Sequence, residues 1–403
     1  MADNALFDEL RERNRDPEAI ITRLTRQHIE TASWAYADSG TRFGKFRQPA
    51  AATTTFEKIA DAGTVHKLTG VAPTVAVHVL WDFADGNVRA VMDYAAEQGV
   101  GIGAINPNVF QDQCYKLGSF GSPDPAARAA AVRHCLDSVE IGVQTGSKLL
   151  SLWFADGTNF PGQDSFRVRK ARFVEGLKTV YDAMPGDMTM LIEYKPYEPA
   201  FYHTDIADWG MASAFARACG PRAKVLCDLG HHLHGCNVAH IVAFLLDQGE
   251  LGGFHFNDSK YSDDDLTSGS IDPYELFLIF AELAEAEEDP SVRSEIAYMV
   301  DQSHTIKPKI EEMIQTVEQL QRAYAKALCI DRVALKTAQE AGDVVGAEQC
   351  FIEAFNTDVR PLLYAARERL GVPGEPLRAF RASGRLAKLA EERAGNVAAG
   401  GLG

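Results

Sequence analysis

The feature that most constrains the fold is a regular alternation between short apolar runs and longer stretches with helical spacing of apolar residues. Seven apolar runs are each followed by such a stretch: 75–80, 101–105, 149–153, 188–194, 223–228, 251–257 and 295–300. This alternation is typical of βαβ units, in which right-handed crossovers join parallel strands. A weaker strand is predicted at 28–35, and eight strands are the number at which a parallel sheet closes into a (β/α)8 TIM barrel.

A doubly wound open sheet is the alternative α/β architecture. No Gly-rich phosphate-binding turn follows the early strands, and polar residues collect at the ends of the late strands, which favours the barrel. We therefore predict an N-terminal helical segment at 1–27, a TIM-barrel catalytic domain at 28–308 and a helical C-terminal extension at 309–403. Within the extension, helices are predicted to about residue 337, at 346–355, at 359–369 and at 376–394. The extension's apolar residues need a partner, so it is expected to contact other subunits.

Composition narrows the classes of function. The net charge of −16 disfavours nucleic acid or an anionic membrane as a partner. The chain contains no run of eighteen apolar residues, so no membrane span is predicted. Residues 1–15 lack the basic start and apolar core of a secretory signal, which predicts a cytoplasmic protein.

Four predicted strands end in a residue type that binds metal ions: Glu193, Asp228, His255 and Asp301. In a parallel barrel these ends meet at one mouth. Three carboxylates and one imidazole suit a hard or borderline divalent ion such as Mn²⁺, Mg²⁺ or Co²⁺. If the three anions converge, burying them together requires a cation. A single carboxylate in this position is often only a helix N-cap.

Other polar residues extend the same mouth. Asp263 and Asp265, together with His231, are candidates for a second metal site that shares ligands with the first. Lys195 lies two residues beyond Glu193 and is placed either to polarise a substrate oxygen or to neutralise the carboxylates. The remaining aspartates of that loop, Asp258 and Asp264, are assigned to loop structure or solvent.

For one histidine and two tryptophans, the sequence pattern allows either a packing role or a role in the site. His78 lies within an apolar strand, where an isolated histidine is more often a core residue than a functional one. Trp81 and Trp153 each end a strand, where aromatic rings serve as packing under a lid or as a face for a sugar ring.

Four motifs make the chain resemble the L-rhamnose isomerases of the Pseudomonas type, which are relatives of the xylose isomerases. They are Glu193-Tyr194-Lys195-Pro196, Asp228-Leu229-Gly230-His231-His232, Phe254-His255-Phe256-Asn257-Asp258-Ser259-Lys260 with Asp263 and Asp265, and Asp301-Gln302-Ser303-His304. The resemblance extends from Ser33-Trp34 to the helical C-terminus.

This resemblance implies a metal-dependent barrel, usually a homotetramer, that interconverts aldoses and ketoses with two divalent ions per subunit. One implied ion site consists of Glu193, Asp228, His255 and Asp301. The other, catalytic site consists of His231, Asp263 and Asp265, with Asp228 bridging the two ions. Implied catalytic roles fall on Asp301, Lys195, His231 and Asp265, and implied sugar contacts on His78, Trp81, Trp153, Lys195, His231 and Asp263.

The predicted reaction converts L-rhamnose to L-rhamnulose, with D-allose/D-allulose and L-mannose/L-fructose as related pairs. A metal-assisted hydride shift between C1 and C2 and an enediol route both remain open, as do Mn²⁺, Co²⁺ and Mg²⁺. Two other functions use the same barrel: phosphodiester cleavage by an endonuclease-like metalloenzyme, and sugar binding without catalysis. The net charge of −16 argues against the first, and the complete ligand set with Lys195 argues against the second.

Overall fold

The computed structural model describes residues 2–41, 44–83, 86–198, 203–262, 264–292, 295–303 and 306–395. Eight parallel strands form a closed barrel in which each strand pairs with its neighbours in sequence and the last pairs with the first. They are β1 Ile29–Ala32, β2 Thr74–His78, β3 Gly101–Asn106, β4 Leu149–Leu152, β5 Thr189–Glu193, β6 Ala223–Asp228, β7 Leu251–Phe256 and β8 Ala297–Val300. The predicted (β/α)8 barrel with helical C-terminal residues is therefore confirmed.

Sixteen α-helices are present in the described ranges. They are α1 Ala2–Glu12, α2 Pro17–Thr25, α3 Thr55–Thr69, α4 Val79–Asp82, α5 Val88–Gln98, α6 Pro125–Thr145, α7 Phe166–Ala183, α8 Trp209–Cys219, α9 Val238–Asp247, α10 Pro273–Ala286, α11 Lys309–Leu328, α12 Arg332–Ala341, α13 Val344–Asn356, α14 Arg360–Leu370, α15 Pro376–Ala382 and α16 Arg385–Glu392. No helix among these residues is long and apolar enough to cross a lipid bilayer.

The ring of helices around the barrel closes with α11, which packs against both α10 and α3. The eighth helix of the ring thus begins at Lys309, immediately after the predicted end of the barrel domain. The proposed domain boundary at residue 308 stays a prediction. The helices beyond α11 pack back onto the outside of the barrel, with α14 against α2 and α15 against α3.

Two predicted helices are each split in the structure. The stretch predicted to run to about residue 337 breaks after Leu328, because Asp331 accepts the backbone N–H groups of Val333 and Ala334 and so starts a new helix. The stretch predicted at 376–394 breaks at Gly384, which has a left-handed φ of 65°.

Strand β1 is only weakly predicted because its apolar run is interrupted by a buried carboxylate, that of Glu30. Glu30 accepts the Ala104 N–H at 2.8 Å and the Thr74 hydroxyl at 2.9 Å. The register between β2 and β3 shifts at this point, which marks a bulge. A Cβ on Gly103 would lie 1.6 Å from Glu30 Oε2, so glycine is required there. Burial raises the pKa of Glu30.

Candidate active site

The carboxyl ends of β5 to β8 bring four potential metal ligands together. One ligand atom from each of Glu193, Asp228, His255 and Asp301 lies within 4.8 Å of the others. Glu193 and Asp228 are the last residues of β5 and β6, His255 is near the end of β7, and Asp301 directly follows β8. The parallel barrel, in which neighbouring strands end at the same mouth, is what converts distant sequence positions into one cluster.

The cluster is arranged around His255. Its Nδ1 lies 3.3 Å from Glu193 Oε2, 3.6 Å from Asp228 Oδ2 and 3.5 Å from Asp301 Oδ2. No described residue completes a hydrogen bond to this buried atom. Three carboxylate oxygens and an imidazole nitrogen that converge without bonding one another fit a divalent cation, since oxygen and imidazole donors suit ions such as Mn²⁺.

The pKa shifts follow from the same arrangement. Burial acts to raise the pKa of Glu193, but the facing His255 and His231 outweigh it and lower that pKa to about 2. Burial acts to lower the pKa of His255, yet Glu193, Asp228 and Asp301 raise it well above its usual range. Burial, together with Asp228 and Glu193, raises the pKa of Asp301 to about 6. Glu193, Asp228 and Asp301 thus stabilise a positive charge on His255. A divalent cation bound among them would carry a larger positive charge in the same place.

Asp228 is fixed by its surroundings. Asn257 donates from Nδ2 to both carboxylate oxygens of Asp228, at 3.0 Å and 3.2 Å. The Gly230 N–H donates to Asp228 Oδ1 at 2.7 Å. A Cβ on Gly230 would lie 2.7 Å from Asn257 Oδ1, so the close approach of this turn depends on glycine. Asp228 therefore presents Oδ2 to the cluster while Oδ1 is held by two donors.

Asp301 is also oriented by a neighbour. Trp34 donates from Nε1 to Asp301 Oδ1 at 2.8 Å. The side chain of Asp301 is 24% exposed, whereas those of Glu193, Asp228 and His255 are at most 4% exposed. Asp301 is thus the member of the cluster most open to a bound molecule.

Beside the cluster lies a cavity of about 110 Å³ whose lining combines Glu193, His255 and Asp301 with aromatic and polar side chains. Aromatic contacts run from Trp34 through His78 to Phe110 and Trp153, with ring centroids 4.7, 5.9 and 4.9 Å apart. Burial, with smaller effects of Lys58 and His255, lowers the pKa of His78 to about 3. His78 is therefore neutral at pH 7.

Trp81 lies behind this wall. Its ring is 4.1 Å from that of His78, and its Nε1 donates to Gln111 Oε1 at 2.9 Å. His78, Phe110 and Trp153 line the cavity, whereas Trp81 packs against His78 and Phe110 and is not among the lining residues.

Three of the polar residues assigned to the mouth also reach the cavity: Lys195, His231 and Asp265. Lys195 Nζ lies 2.7 Å from Glu198 Oε2 and 5.1 Å from the centroid of the Trp153 ring. His231 Nδ1 is hydrogen-bonded to the Tyr194 carbonyl at 3.0 Å and lies 3.2 Å from Glu193 Oε1.

Asp265 has a left-handed φ of 46°, a conformation that aspartate tolerates better than most residues, and accepts the Ser303 hydroxyl at 3.0 Å. Asp263, also predicted as a ligand, lies outside the described residues, as does His304 of the fourth motif. The other two aspartates of the loop organise its backbone. Asp258 accepts the Gly269 and Ile271 N–H groups, and Asp264 accepts those of Lys260 and Tyr261.

Sequence reasoning assigned no role to Ser151, Asn257 or Phe110. The signal for Ser151 was present, because it is the one polar residue in the run Leu149–Leu152. Asn257 follows β7 directly, yet nothing in its sequence context points to Asp228. Phe110 follows Asn106-Pro107-Asn108 in an irregular loop, where no periodicity indicates its direction.

A larger cavity, of about 600 Å³, opens at the opposite end of the barrel among the first residues of the strands. Its lining includes His28, Glu30 and Tyr298 but none of the four clustered ligands. In barrels of this type the chemistry takes place at the carboxyl ends of the strands, so the smaller cavity is the candidate active site.

A closed parallel barrel with a carboxylate and imidazole cluster at its mouth defines the structural class. The family model described as xylose isomerase-like TIM barrel matches residues 56–284, and the chain belongs to this family. A probable sugar isomerase of Rhizobium meliloti is 41% identical, with 99% of this chain and 94% of the relative covered. A probable sugar isomerase of Mesorhizobium japonicum is 42% identical, with 93% of this chain and 88% of the relative covered.

Two further similarities are more distant. The xylose isomerase of Thermus thermophilus is 31% identical over 46% of this chain and 50% of its own length. The crystal structure of a D-allulose 3-epimerase from a Methylomonas species has a TM-score of 0.54, with 15% identity over 74% of this chain and 98% of that one. At that identity the likeness shows the shared fold alone.

Proposed function

We propose that this protein is a metal-dependent aldose–ketose isomerase that interconverts L-rhamnose and L-rhamnulose. D-Allose/D-allulose and L-mannose/L-fructose are proposed as related substrate pairs. The observation that carries the proposal is the convergence of Glu193, Asp228, His255 and Asp301 beside a cavity walled by aromatic rings. The names of the two relatives that match almost the whole chain, both probable sugar isomerases, support the same class of reaction.

Glu193, Asp228, His255 and Asp301 would hold one divalent ion, for which Mn²⁺ is the proposed occupant and Co²⁺ or Mg²⁺ the alternatives. When bound, such an ion acts as a Lewis acid toward the adjacent carbonyl and hydroxyl oxygens of an open-chain sugar and lowers the pKa of the hydroxyl. Glu193 is anionic at neutral pH, because the facing His255 and His231 outweigh its burial and lower its pKa to about 2.

The isomerisation moves one hydrogen with its electron pair from C2 to C1. The C2–H bond breaks and the C1–H bond forms, so C2 is oxidised to the ketone and C1 is reduced. The O2 proton is lost and O1 gains one. Lys195 is the cation placed to stabilise negative charge on a substrate oxygen, since its side chain is only 7% exposed and faces the cavity. The O2 proton would pass to water beside Asp301, whose side chain is the most exposed of the four at 24%.

The aromatic wall excludes water from the opposite side of the cavity. Trp34, Phe110 and Trp153 offer apolar faces that suit the C–H surface of a sugar. The neutral His78 adds a hydrogen-bonding nitrogen without adding a charge. An apolar wall of this kind favours a direct hydride shift, because every carboxylate among the described cavity-lining residues is a proposed metal ligand and none is left to act as a base toward carbon.

A second divalent ion is part of the proposal. Its ligands would be His231, Asp263 and Asp265, and the same three residues would also lie close to the sugar. His231 and Asp265 line the same cavity as the first cluster, which supports this. Asp228 would contribute to both ion sites, and its carboxylate is held in position by hydrogen bonds from Gly230 and Asn257.

We also propose a homotetramer in which the C-terminal helices contribute to subunit contacts. Val333, Val344 and Val345 on α12 and α13 are 62%, 76% and 76% exposed. Valines this exposed on neighbouring helices are the kind of surface that a second subunit covers.

The function is tested by incubating purified, Mn²⁺-loaded protein in D2O with L-rhamnose, L-mannose, D-allose and D-allulose and following the products by NMR. We expect L-rhamnose to give L-rhamnulose with little deuterium at C1, because a hydride shift does not exchange that hydrogen with solvent. Extensive deuterium at C1 would replace the hydride shift with an enediol route.

Two results would overturn the isomerase itself. One is conversion of none of these sugars, which leaves a non-catalytic barrel or, with cleavage of DNA in a parallel assay, a phosphodiesterase. The other is conversion of D-allulose only to its C3 epimer, which makes the protein an epimerase.

A further inference from the structure

The candidate cavity contains a serine, Ser151, that has no part in the proposed metal sites or in the hydrogen transfer. Ser151 lies on β4, two residues before Trp153, which directly follows the strand. Its side chain lines the cavity, and the residue is 2% exposed. Its hydroxyl has no hydrogen-bond partner among the described residues.

Two neighbouring polar atoms share this condition. His78 Nδ1 and Trp153 Nε1 are also buried, line the same cavity and find no partner within the described ranges. Buried polar atoms are nearly always hydrogen-bonded in folded proteins, so a group of them around one small cavity indicates a polar ligand. The proposed metal ligands come from β5 to β8, whereas these three atoms come from β2 and β4, so a bound molecule is contacted from both sides.

We propose that Ser151 Oγ hydrogen-bonds a hydroxyl group of the bound monosaccharide and that Ser151 is a specificity-determining residue. This inference rests on the proposed isomerase function. A hydroxyl both donates and accepts, so Ser151 complements a sugar hydroxyl in either orientation, whereas the indole of Trp153 only donates. A sugar without the matching hydroxyl leaves Ser151 buried and unpaired, which is how a polar site rejects a deoxy analogue.

The test is a double-mutant cycle in which the Ser151 hydroxyl and one sugar hydroxyl are removed separately and together. We compare wild type and Ser151→Ala on L-mannose and on its monodeoxy analogues at C3, C4, C5 and C6, of which the last is L-rhamnose. We expect Ser151→Ala to lower kcat/KM roughly 10- to 100-fold for sugars that carry the contacted hydroxyl. For the single analogue that lacks this hydroxyl, the same substitution should change kcat/KM by less than about threefold.

Ser268→Ala is the matched control, because Ser268 is fully buried and also lacks a hydrogen-bond partner among the described residues but does not line the cavity. It should affect all sugars equally. If Ser151→Ala does not fold, Ser151→Cys replaces the hydroxyl with a slightly larger thiol that hydrogen-bonds more weakly, and it should give the same sugar-dependent pattern.

A loss that is equal for every sugar, or no loss at all, would overturn the role of Ser151 and leave the isomerase intact. Failure of the wild-type protein to convert any sugar would instead overturn the proposed function, and this inference with it.

Discussion

Replacement of Glu193 by glutamine is expected to abolish measurable isomerisation and to weaken Mn²⁺ binding at least about 100-fold, beyond the range typical of residues that only support a ligand. The substitution keeps the shape of the side chain and removes its charge. Glu193 is central to the cluster, because its two oxygens lie 3.2 Å from His231 Nδ1 and 3.3 Å from His255 Nδ1. Loss of this anion removes both a ligand and the charge that faces two imidazoles.

Titration calorimetry with Mn²⁺ and a coupled ketose assay measure the two effects separately. Glu250→Gln is the matched control, since Glu250 pairs with Arg217 and Ser213 outside the candidate site. That control should bind Mn²⁺ and turn over like the wild type. Near-normal Mn²⁺ affinity in Glu193→Gln would remove Glu193 from the proposed ligand set.

Replacement of Lys195 by methionine is expected to lower kcat about 100- to 1000-fold while leaving Mn²⁺ affinity unchanged. Methionine keeps the apolar stem of the side chain and removes the ammonium group, whose Nζ lies 5.1 Å from the centroid of the Trp153 ring. The residue left behind, Glu198, is 28% exposed and can be solvated without its partner. The combination of lost turnover and retained metal binding distinguishes this substitution from Glu193→Gln.

Lys148→Met serves as the control, because Lys148 forms a solvent-exposed pair with Asp187. Exposed pairs contribute little, so turnover and stability should stay close to those of the wild type. If Lys195→Met retains more than about a third of wild-type turnover, stabilisation of substrate charge by Lys195 is excluded.

The barrel was accessible to sequence reasoning because buried parallel strands are continuous apolar runs that the intervening helices separate clearly. The first strand was the exception. Its sequence includes the charged residue Glu30, whose carboxylate fills the bulge beside Gly103. A carboxylate is required at this position only because of the shape of the neighbouring strands, which the local sequence of the first strand does not show. The breaks before Asp331 and at Gly384 were missed although both residues are common at helix ends.

The four clustered ligands could be predicted because each follows an apolar run and parallel topology brings such ends together. The residues that support them could not. Asn257 contacts Asp228, and Trp34 contacts Asp301, across separations of 29 and 267 positions that no local pattern encodes. Trp81 stays a predicted sugar contact; its ring packs against His78 and is not among the residues that line the cavity.

Metal-dependent isomerisation is tested most directly by measuring L-rhamnulose formation from L-rhamnose with protein that has been stripped by EDTA and then reloaded with Mn²⁺. We expect the stripped protein to remain folded and to lose turnover, because the acids around His255 then hold no divalent ion, and we expect Mn²⁺ to restore turnover. Full turnover in protein shown by elemental analysis to be free of divalent metal would contradict a metal-dependent isomerase.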